Sequence, residues 1–486
     1  MKKLTWIMFI ILTGNTIQAQ TDSIFDAYYK EFEVFRKSVD NDFNRFKSQN
    51  DSAFLKFLEQ TWKEFEVFRH TQPERPKPKE QPMINEKTDS TQQELEYIVP
   101  LQPDANIKKE QMIDSELKEL KPVSYQSRII AKYIDVFGTS EEIYYYPDKL
   151  PHLDIVNEKS IAEFYRNLAS NNSIWIYNIM LFEKIKQTYH FNDWGYYMVI
   201  KKAAESIFNL KNEQTLFIWY VFIKTGYRVK VGFDNNTLYL LLPSQQELYN
   251  IKYLSENGLQ FYLFQNENSQ PGQLKTYQGF YKDSAKIFSF TLTGLPRISD
   301  VRTESRDLNY NQKNINLLFN RGIMDFLNSY PQCALNIYFG LPISVSNINI
   351  LDKLFDPMFQ GKTSREKVDI LLNSIQNAIA YQTDQEQFGK ERYMFAEECL
   401  YFPYSDCEDR SALLGQLVKH FTGLPAIGLE FPDHVTLAVN FPGEEQGTYI
   451  LFEAKRYFIC DPTYINSKSG MLPINLKDEK PKVIVF

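Results

Sequence analysis

Cys407, His434 and Asp461 are the residues of this 486-residue chain whose types, order and local settings could together do covalent chemistry. A nucleophilic thiol needs a base to take its proton and a third group to orient that base. The three follow one another at equal intervals of 27 residues (434 − 407 and 461 − 434). Ser405-Asp-Cys-Glu408 has the capping-box pattern, which puts Ser405 at a helix cap and Cys407 in the first turn of a helix reaching Phe421. Unpaired N–H groups and the positive dipole end favour a thiolate there, so the thiol pKa should fall, with Glu408 and Asp409 opposing unless they point away. Asp433-His434 heads a strand in which Val435, Leu437 and Val439 share one face, and His434, Thr436, Ala438 and Asn440 the other. Tyr457 to Cys460 is a further strand; Cys460 and Asp461 point to opposite faces of it, the thiol into the core.

Such a set performs acyl transfer. The Cys407 thiolate attacks an amide carbonyl, His434 protonates the leaving amine, and a thioester forms that water or another amine resolves. The backbone N–H of Cys407 can serve as one oxyanion donor. The topology is constrained in turn. A plain meander of strands 434–441, 448–453 and 457–461 would run the first and third the same way and leave His434 and Asp461 roughly 13 Å apart. The triad therefore requires strand 457–461 to pair antiparallel and directly with strand 434–441.

The strings Ser405-Asp-Cys-Glu-Asp-Arg-Ser-Ala-Leu-Leu414, Thr422-Gly-Leu-Pro425, Asp433-His-Val-Thr-Leu-Ala-Val439 and Cys460-Asp-Pro-Thr-Tyr464 resemble the transglutaminase-like branch of the papain-type thiol enzymes. The resemblance covers about the last third of the chain. It implies Cys407 as nucleophile, His434 as base and acid, and Asp461 as orienting carboxylate. It also implies an α+β fold, with the cysteine helix packed on an antiparallel sheet. The family includes amide cross-linkers, peptidases and deglycosylating amidases, so chemistry is better specified than substrate. Two features depart from it: Val435 and Thr436 follow the histidine where the family often has an aromatic, and Thr448 to Arg456 is an extra segment.

The elements that must position these residues lie in a chain with several parts. Residues 1–19 have the form of a secretory signal: Lys2 and Lys3, an apolar core from Leu4 to Leu12, and small-residue cleavage at Ile17-Gln18-Ala19. Residues 20–70 form a helical arm with an apolar seam, and Lys30-Glu-Phe-Glu-Val-Phe-Arg36 returns as Lys63-Glu-Phe-Glu-Val-Phe-Arg69. A helical hairpin or coiled-coil arm for self-association fits, as do helices that pack on the rest of the chain. Residues 71–96, with Pro73, Pro76, Pro78 and Pro82, read as an extended, solvated linker. Residues 97–300 read as an α/β middle domain with helices Trp194 to Leu210 and Gln214 to Lys224, strands Tyr227 to Phe233 and Thr237 to Leu242, and a short strand from Thr276 to Tyr281. Residues 310–486 form the transglutaminase-like domain, which also holds a helix from Ile370 to Tyr381. Thr225-Gly-Tyr-Arg-Val-Lys-Val-Gly-Phe233 echoes Thr422-Gly-Leu-Pro-Ala-Ile-Gly-Leu-Glu-Phe431 at an offset of 197 (422 − 225). The middle domain then reads as a degenerate copy, with Leu210 in place of Cys407 and Thr237 in place of His434, or as generic helix–strand similarity.

Composition narrows the partners. With 54 basic and 61 acidic residues the net charge is −7, and no long basic run is present, so nucleic acid and anionic membranes are excluded as partners. With 43% hydrophobic residues the chain is not disordered as a whole. No cofactor and no metal site is expected, because no Cys/His spacing fits zinc. His70, His152, His190 and His420 read as surface or packing residues. Cys333 and Cys399 read as buried apolar thiols, Cys399 with a disulfide as the alternative. Gly361-Lys-Thr363 lacks the first glycine of a phosphate loop. The sequence thus predicts an exported protein, periplasmic or secreted, without stable membrane insertion after signal removal. It would cleave or transfer amide bonds in protein or peptide substrates. The alternative is a catalytically inactive binding or scaffold protein of the cell envelope.

Overall fold

Aromatic and β-branched segments build two main sheets, one antiparallel throughout and one antiparallel except for a short edge strand, each backed by one strongly buried helix, in a computed structural model that describes residues 41–73, 75, 77–84, 93–98, 129–265, 271–282, 284–300 and 302–486. The architecture is α+β. The predicted signal segment and the first copy of the string Lys30-Glu-Phe-Glu-Val-Phe-Arg36 lie outside the described residues. No described helix is long and apolar enough to cross a membrane.

The arm is not a free helical hairpin over its described part. Helix Asn41–Leu58 packs on the rest of the chain: Phe54 and Leu58 are buried, and the Phe54 ring meets Tyr165, Trp219 and Tyr277. The second copy of the repeat is not helical either. It forms strands Trp62–Glu66 and Phe68–Arg69, one on each edge of a seven-stranded sheet. With only Val67 between them, these strands join the two edges and curl the sheet on itself. The physical reason is that Phe65 and Val67 alternate with charged residues, a period-two pattern that edge pairing rewards once a sheet is available.

The sheet of the middle region is antiparallel in every pairing, so that region is α+β rather than α/β. Its helices Asp193–Ile207 and Lys211–Lys224 and its strands Lys230–Asp234 and Thr237–Ser244 match the sequence reading to within a few residues. The hairpin Thr303–Tyr310 with Lys313–Asn320 straddles residue 310, and one apolar core runs through both halves of the chain.

The internal echo is a repeat of topology. In the first sheet the order is Gln273–Tyr277, Lys230–Asp234, Thr237–Ser244, Leu259–Phe264, Lys252–Glu256. In the second it is Lys482–Ile484, Ala426–Glu430, Val435–Val439, Lys455–Cys460, Tyr449–Phe452, in the same order. Helix Lys211–Lys224 precedes the first set and helix Cys407–Thr422 the second. The first hairpins share one register at an offset of 197: Gly232 faces Tyr239 as Leu429 faces Thr436, and Phe233 faces Leu238 as Glu430 faces Val435. The next pairing slips by one residue, with Leu241 opposite Leu263 but Ala438 opposite Ile459.

The segment 71–96 is not a solvated linker over its described residues. Gln72, Arg75 and Ile84 are buried, Met83 bridges Ile465, and Glu94–Leu95 adds a parallel strand to the edge of the second sheet at Tyr449–Phe452. An extended chain can pair with a sheet edge as readily as with water.

Candidate active site

Helix Cys407–Thr422 is held by its apolar face, with Leu413, Leu414, Leu417 and Val418 all buried, and it ends at Gly423, whose φ of 64° is the left-handed conformation that glycine adopts without strain. Its N-cap is Asp406, one residue later than the Ser405 cap the sequence predicts. Asp409 takes the place of Glu408, its carboxylate accepting from the Asp406 N–H at 3.4 Å. Two overlapping patterns, Ser405 with Glu408 and Asp406 with Asp409, compete here. The Ser405 hydroxyl accepts instead from Arg410 Nε at 3.1 Å. Cys407 is the first residue of the helix.

The strand after His434 and the strand before Asp461 pair directly and antiparallel, Leu437 opposite Cys460 and Val439 opposite Phe458. The extra strand Tyr449–Phe452 lies on the far side of Lys455–Cys460 rather than between the two. His434 Nε2 therefore comes to 2.7 Å from Asp461 Oδ2, with both side chains buried. Asp461 Oδ1 accepts from the Thr463 N–H at 2.9 Å, which fixes the carboxylate from its other side. With Nε2 taken by Asp461, the ring nitrogen left for a thiol is Nδ1. Tyr464 packs edge-on against the imidazole with ring centroids 5.5 Å apart.

Cys407 is brought to the same region. Ser411, one turn along the helix from Cys407, donates to the carbonyl of Val435, the residue after His434, at 3.1 Å. The Tyr464 hydroxyl, pushed up to about 12 by its burial and then by Asp461, also lies close enough to feel the Cys407 thiol. The thiol itself donates to Glu408 Oε2 at 2.9 Å, not to the imidazole. Burial, and then the Glu408 charge, raise its pKa well above the ordinary thiol value. The sequence expectation of a lowered pKa is thus reversed in this conformation, because Glu408 points at the sulfur rather than away.

The strongest electrostatic feature is one the sequence reading missed. Lys77, with a side chain 3% exposed, reaches the Asp406 carboxylate, Glu408 Oε1 at 2.6 Å and Glu391 Oε1 at 3.2 Å. Arg75 joins Glu430 Oε1 at 2.6 Å and the Tyr393 hydroxyl at 3.0 Å. Burial opposes the charge on Glu408, yet Lys77 and Arg75 hold it down to about 2. Burial and then neighbouring carboxylates push Asp406 up to about 7 and Asp384 up to about 9. Asp384, Glu391, Asp406, Cys407, Glu408 and Asp409 fall into three sets able to converge on a cation, and the Lys77 ammonium is the cation standing among them. A signal was available: three acidic residues around a helix start predicted to be buried require a counter-cation.

The remaining candidates behave as separate features. His70, His152 and His420 each meet a carboxylate, Glu247, Glu213 and Asp352 respectively, with no thiol among these contacts. Cys333, Cys399, Cys407 and Cys460 are all free thiols, so the Cys399 disulfide is not formed. A cavity of about 770 Å³ opens between the two halves, lined in part by Trp194, Tyr249, Phe264, Tyr330 and Arg392; it shares Glu391 with the Lys77 contacts but none of Cys407, His434 or Asp461. By the register of its sheet the first repeat has Phe264 at the position of Cys460 and Gln265 at that of Asp461, and with Leu210 and Thr237 it offers no triad. No protein-family model matches this chain, and no curated protein and no solved structure matches it.

Proposed function

We propose that this chain is a transglutaminase-like thiol enzyme that cleaves or transfers amide bonds in proteins or peptides. Cys407 is its nucleophile, His434 its base and acid, and Asp461 the residue that orients the histidine. The observation that carries the reading is the 2.7 Å contact between His434 Nε2 and Asp461 Oδ2. It joins an imidazole and a carboxylate at the neighbouring ends of adjacent strands and leaves Nδ1 for the thiol of a helix tied to the first of them.

In the conformation described, Cys407 is protonated, buried and bonded to Glu408. Turnover on this reading begins with the thiol proton passing to His434 Nδ1, once Sγ has turned from Glu408. The thiolate then attacks the amide carbon, the carbonyl oxygen becomes an oxyanion beside the Cys407 N–H, and His434 returns the proton to the departing amine. The second half repeats the cycle with water, giving an acid, or with an amine, giving a new amide. Hydrolysis is the primary assignment, since it requires no acceptor site. Export to the periplasm or the medium, with the first repeat as a degenerate copy, completes the proposal.

The burial of Cys407 favours a second reading, a catalytically inactive binding or scaffold protein of the cell envelope. A peptide-library amide-hydrolysis assay on the full chain and its Cys407→Ala variant separates the two. Thiol-dependent turnover supports the enzyme, and identical traces from the two proteins support the scaffold.

A further inference from the structure

We propose that the groove between the start of helix Cys407–Thr422 and the turn after Asp461 is a binding site for an extended, lysine-bearing peptide, and that the chain's own segment Lys77 to Ile84 is its resident occupant. The inference rests on the thiol-enzyme reading for its significance beside the nucleophile, but its test reads binding and thiol access, so the two can fail separately.

The segment is held as a bound peptide is held. At one end the Lys77 ammonium sits among Asp406, Glu408 and Glu391. Four residues on, Gln81 Nε2 donates to the carbonyls of Thr463, at 2.8 Å, and of Gln376, at 3.2 Å. The main chain then pairs with the turn: the Pro82 carbonyl accepts from the Ile465 N–H at 2.8 Å, and the Ile84 N–H donates to the Ile465 carbonyl at 3.0 Å. Ile84 is buried, while Met83 points outward at 69% exposure. Pro78, Lys79 and Glu80 are exposed between the Lys77 and Gln81 anchors, and main-chain pairing at Pro82 and Ile84 with Ile84 seated and Met83 exposed is a mode by which extended peptides are recognised. The anchors flank the triad: Lys77 touches the neighbours of Cys407 on both sides, and Gln81 touches the second residue after Asp461.

The chemistry of the groove selects the occupant. Five buried or partly buried carboxylates, Asp384, Glu391, Asp406, Glu408 and Asp409, crowd the Lys77 end. Asp406 is wholly buried, and its Oδ1 has no hydrogen-bond partner among the described residues. Removing the cation takes away the partner of the buried Glu408 carboxylate, and a compact ammonium on a long stem fits its place. Because the resident segment is part of the same chain, it competes at a high effective concentration with any peptide in trans. Displacing it also uncovers Cys407.

The test uses the full chain, its Lys77→Gln variant and its Ile84→Asp variant, which loosen the segment at opposite ends. The probe is a fluorescein-labelled peptide with the sequence of residues 75–86, and a second copy carries norleucine in place of the lysine at 77. The expected result is at least tenfold tighter binding of the lysine peptide to either variant than to the parent chain, with the norleucine peptide at least tenfold weaker. Iodoacetamide labelling of Cys407, read by peptide mass, should quicken by a similar factor in both variants and slow again when the lysine peptide is added. Equal binding to parent and variants, equal binding of the two peptides, or Cys407 labelling that neither variant changes would overturn the proposal. Should one variant fail to fold by circular dichroism, the other carries the same comparison.

Discussion

His434 Nε2 and Asp461 Oδ2 lie 2.7 Å apart because strand Lys455–Cys460 inserts between Val435–Val439 and Tyr449–Phe452. Had the three strands formed a plain meander, the two side chains would be at opposite ends of the sheet. An orienting carboxylate acts on catalysis far more than on folding. Asp461→Asn keeps an acceptor for the Thr463 N–H and a partner for the imidazole. It should lower kcat by about 10²–10⁴-fold while leaving the far-ultraviolet spectrum and the melting temperature nearly unchanged. Undiminished kcat in that variant would remove Asp461 from the mechanism.

The crowded carboxylates make stability depend on pH. An aspartate in the unfolded chain titrates at about 3.9, whereas Asp406 and Asp384 in the fold titrate at about 7 and about 9. Between those values the folded chain binds more protons than the unfolded one, so stability falls as pH rises from about 4 through 7 and on towards 9. Glu408, held at about 2, works the other way and loses its contribution only as pH falls below its unfolded value. Melting curves at pH 5, 7 and 9 should show a decline that Asp384→Asn makes shallower. A parent chain whose melting temperature rises across that range contradicts the assignment.

Gly423 ends the cysteine helix at φ 64°, and the space around its Cα is open. Gly423→Ala therefore meets no clash and costs only the backbone term, about 1 kcal/mol, readable in a denaturant midpoint. Because the helix start is unaffected, kcat should stay within about twofold.

All four cysteines are buried and free, and burial pushes the Cys399 thiol up to about 12. Denatured but unreduced protein should release four titratable thiols, and peptide mapping without reductant should find no Cys399–Cys407 pair. A recovered cross-link between them would contradict the structure of the helix start.

Much of this was legible in the residues, for physical reasons that differ by segment. The cysteine helix has an uninterrupted apolar face and a glycine stop, strand 435–439 alternates large apolar with small residues, and strand 455–460 ends in a short apolar run stopped by Asp461-Pro462, so all three emerged within a few residues of their observed limits. The need for antiparallel pairing followed from the chemistry of His434 and Asp461. The cap moved by one residue because Ser405 and Asp406 carry equivalent capping signals three residues before an acid. Residues 62–69 were misread because Phe65 and Phe68 fit a helical spacing as well as Phe65 and Val67 fit a strand. Lys77 was invisible for a different reason. A lysine among prolines looks solvated, and only the tertiary fold brings it to the carboxylates of a helix some 330 residues further on (406 − 77 = 329).

The most direct measurement of the central claim is mass spectrometry of the full chain quenched during incubation with a peptide-amide library. It is run on the parent, on Lys77→Gln with its resident segment loosened, and on Cys407→Ala. A sulfur–imidazole–carboxylate relay predicts an acyl adduct mapped to Cys407 in the first two proteins, most abundant in Lys77→Gln, with product formation that disappears in Cys407→Ala. Product formation that survives in Cys407→Ala, or a Lys77→Gln protein whose exposed thiol labels with iodoacetamide yet never acquires an acyl group, contradicts it.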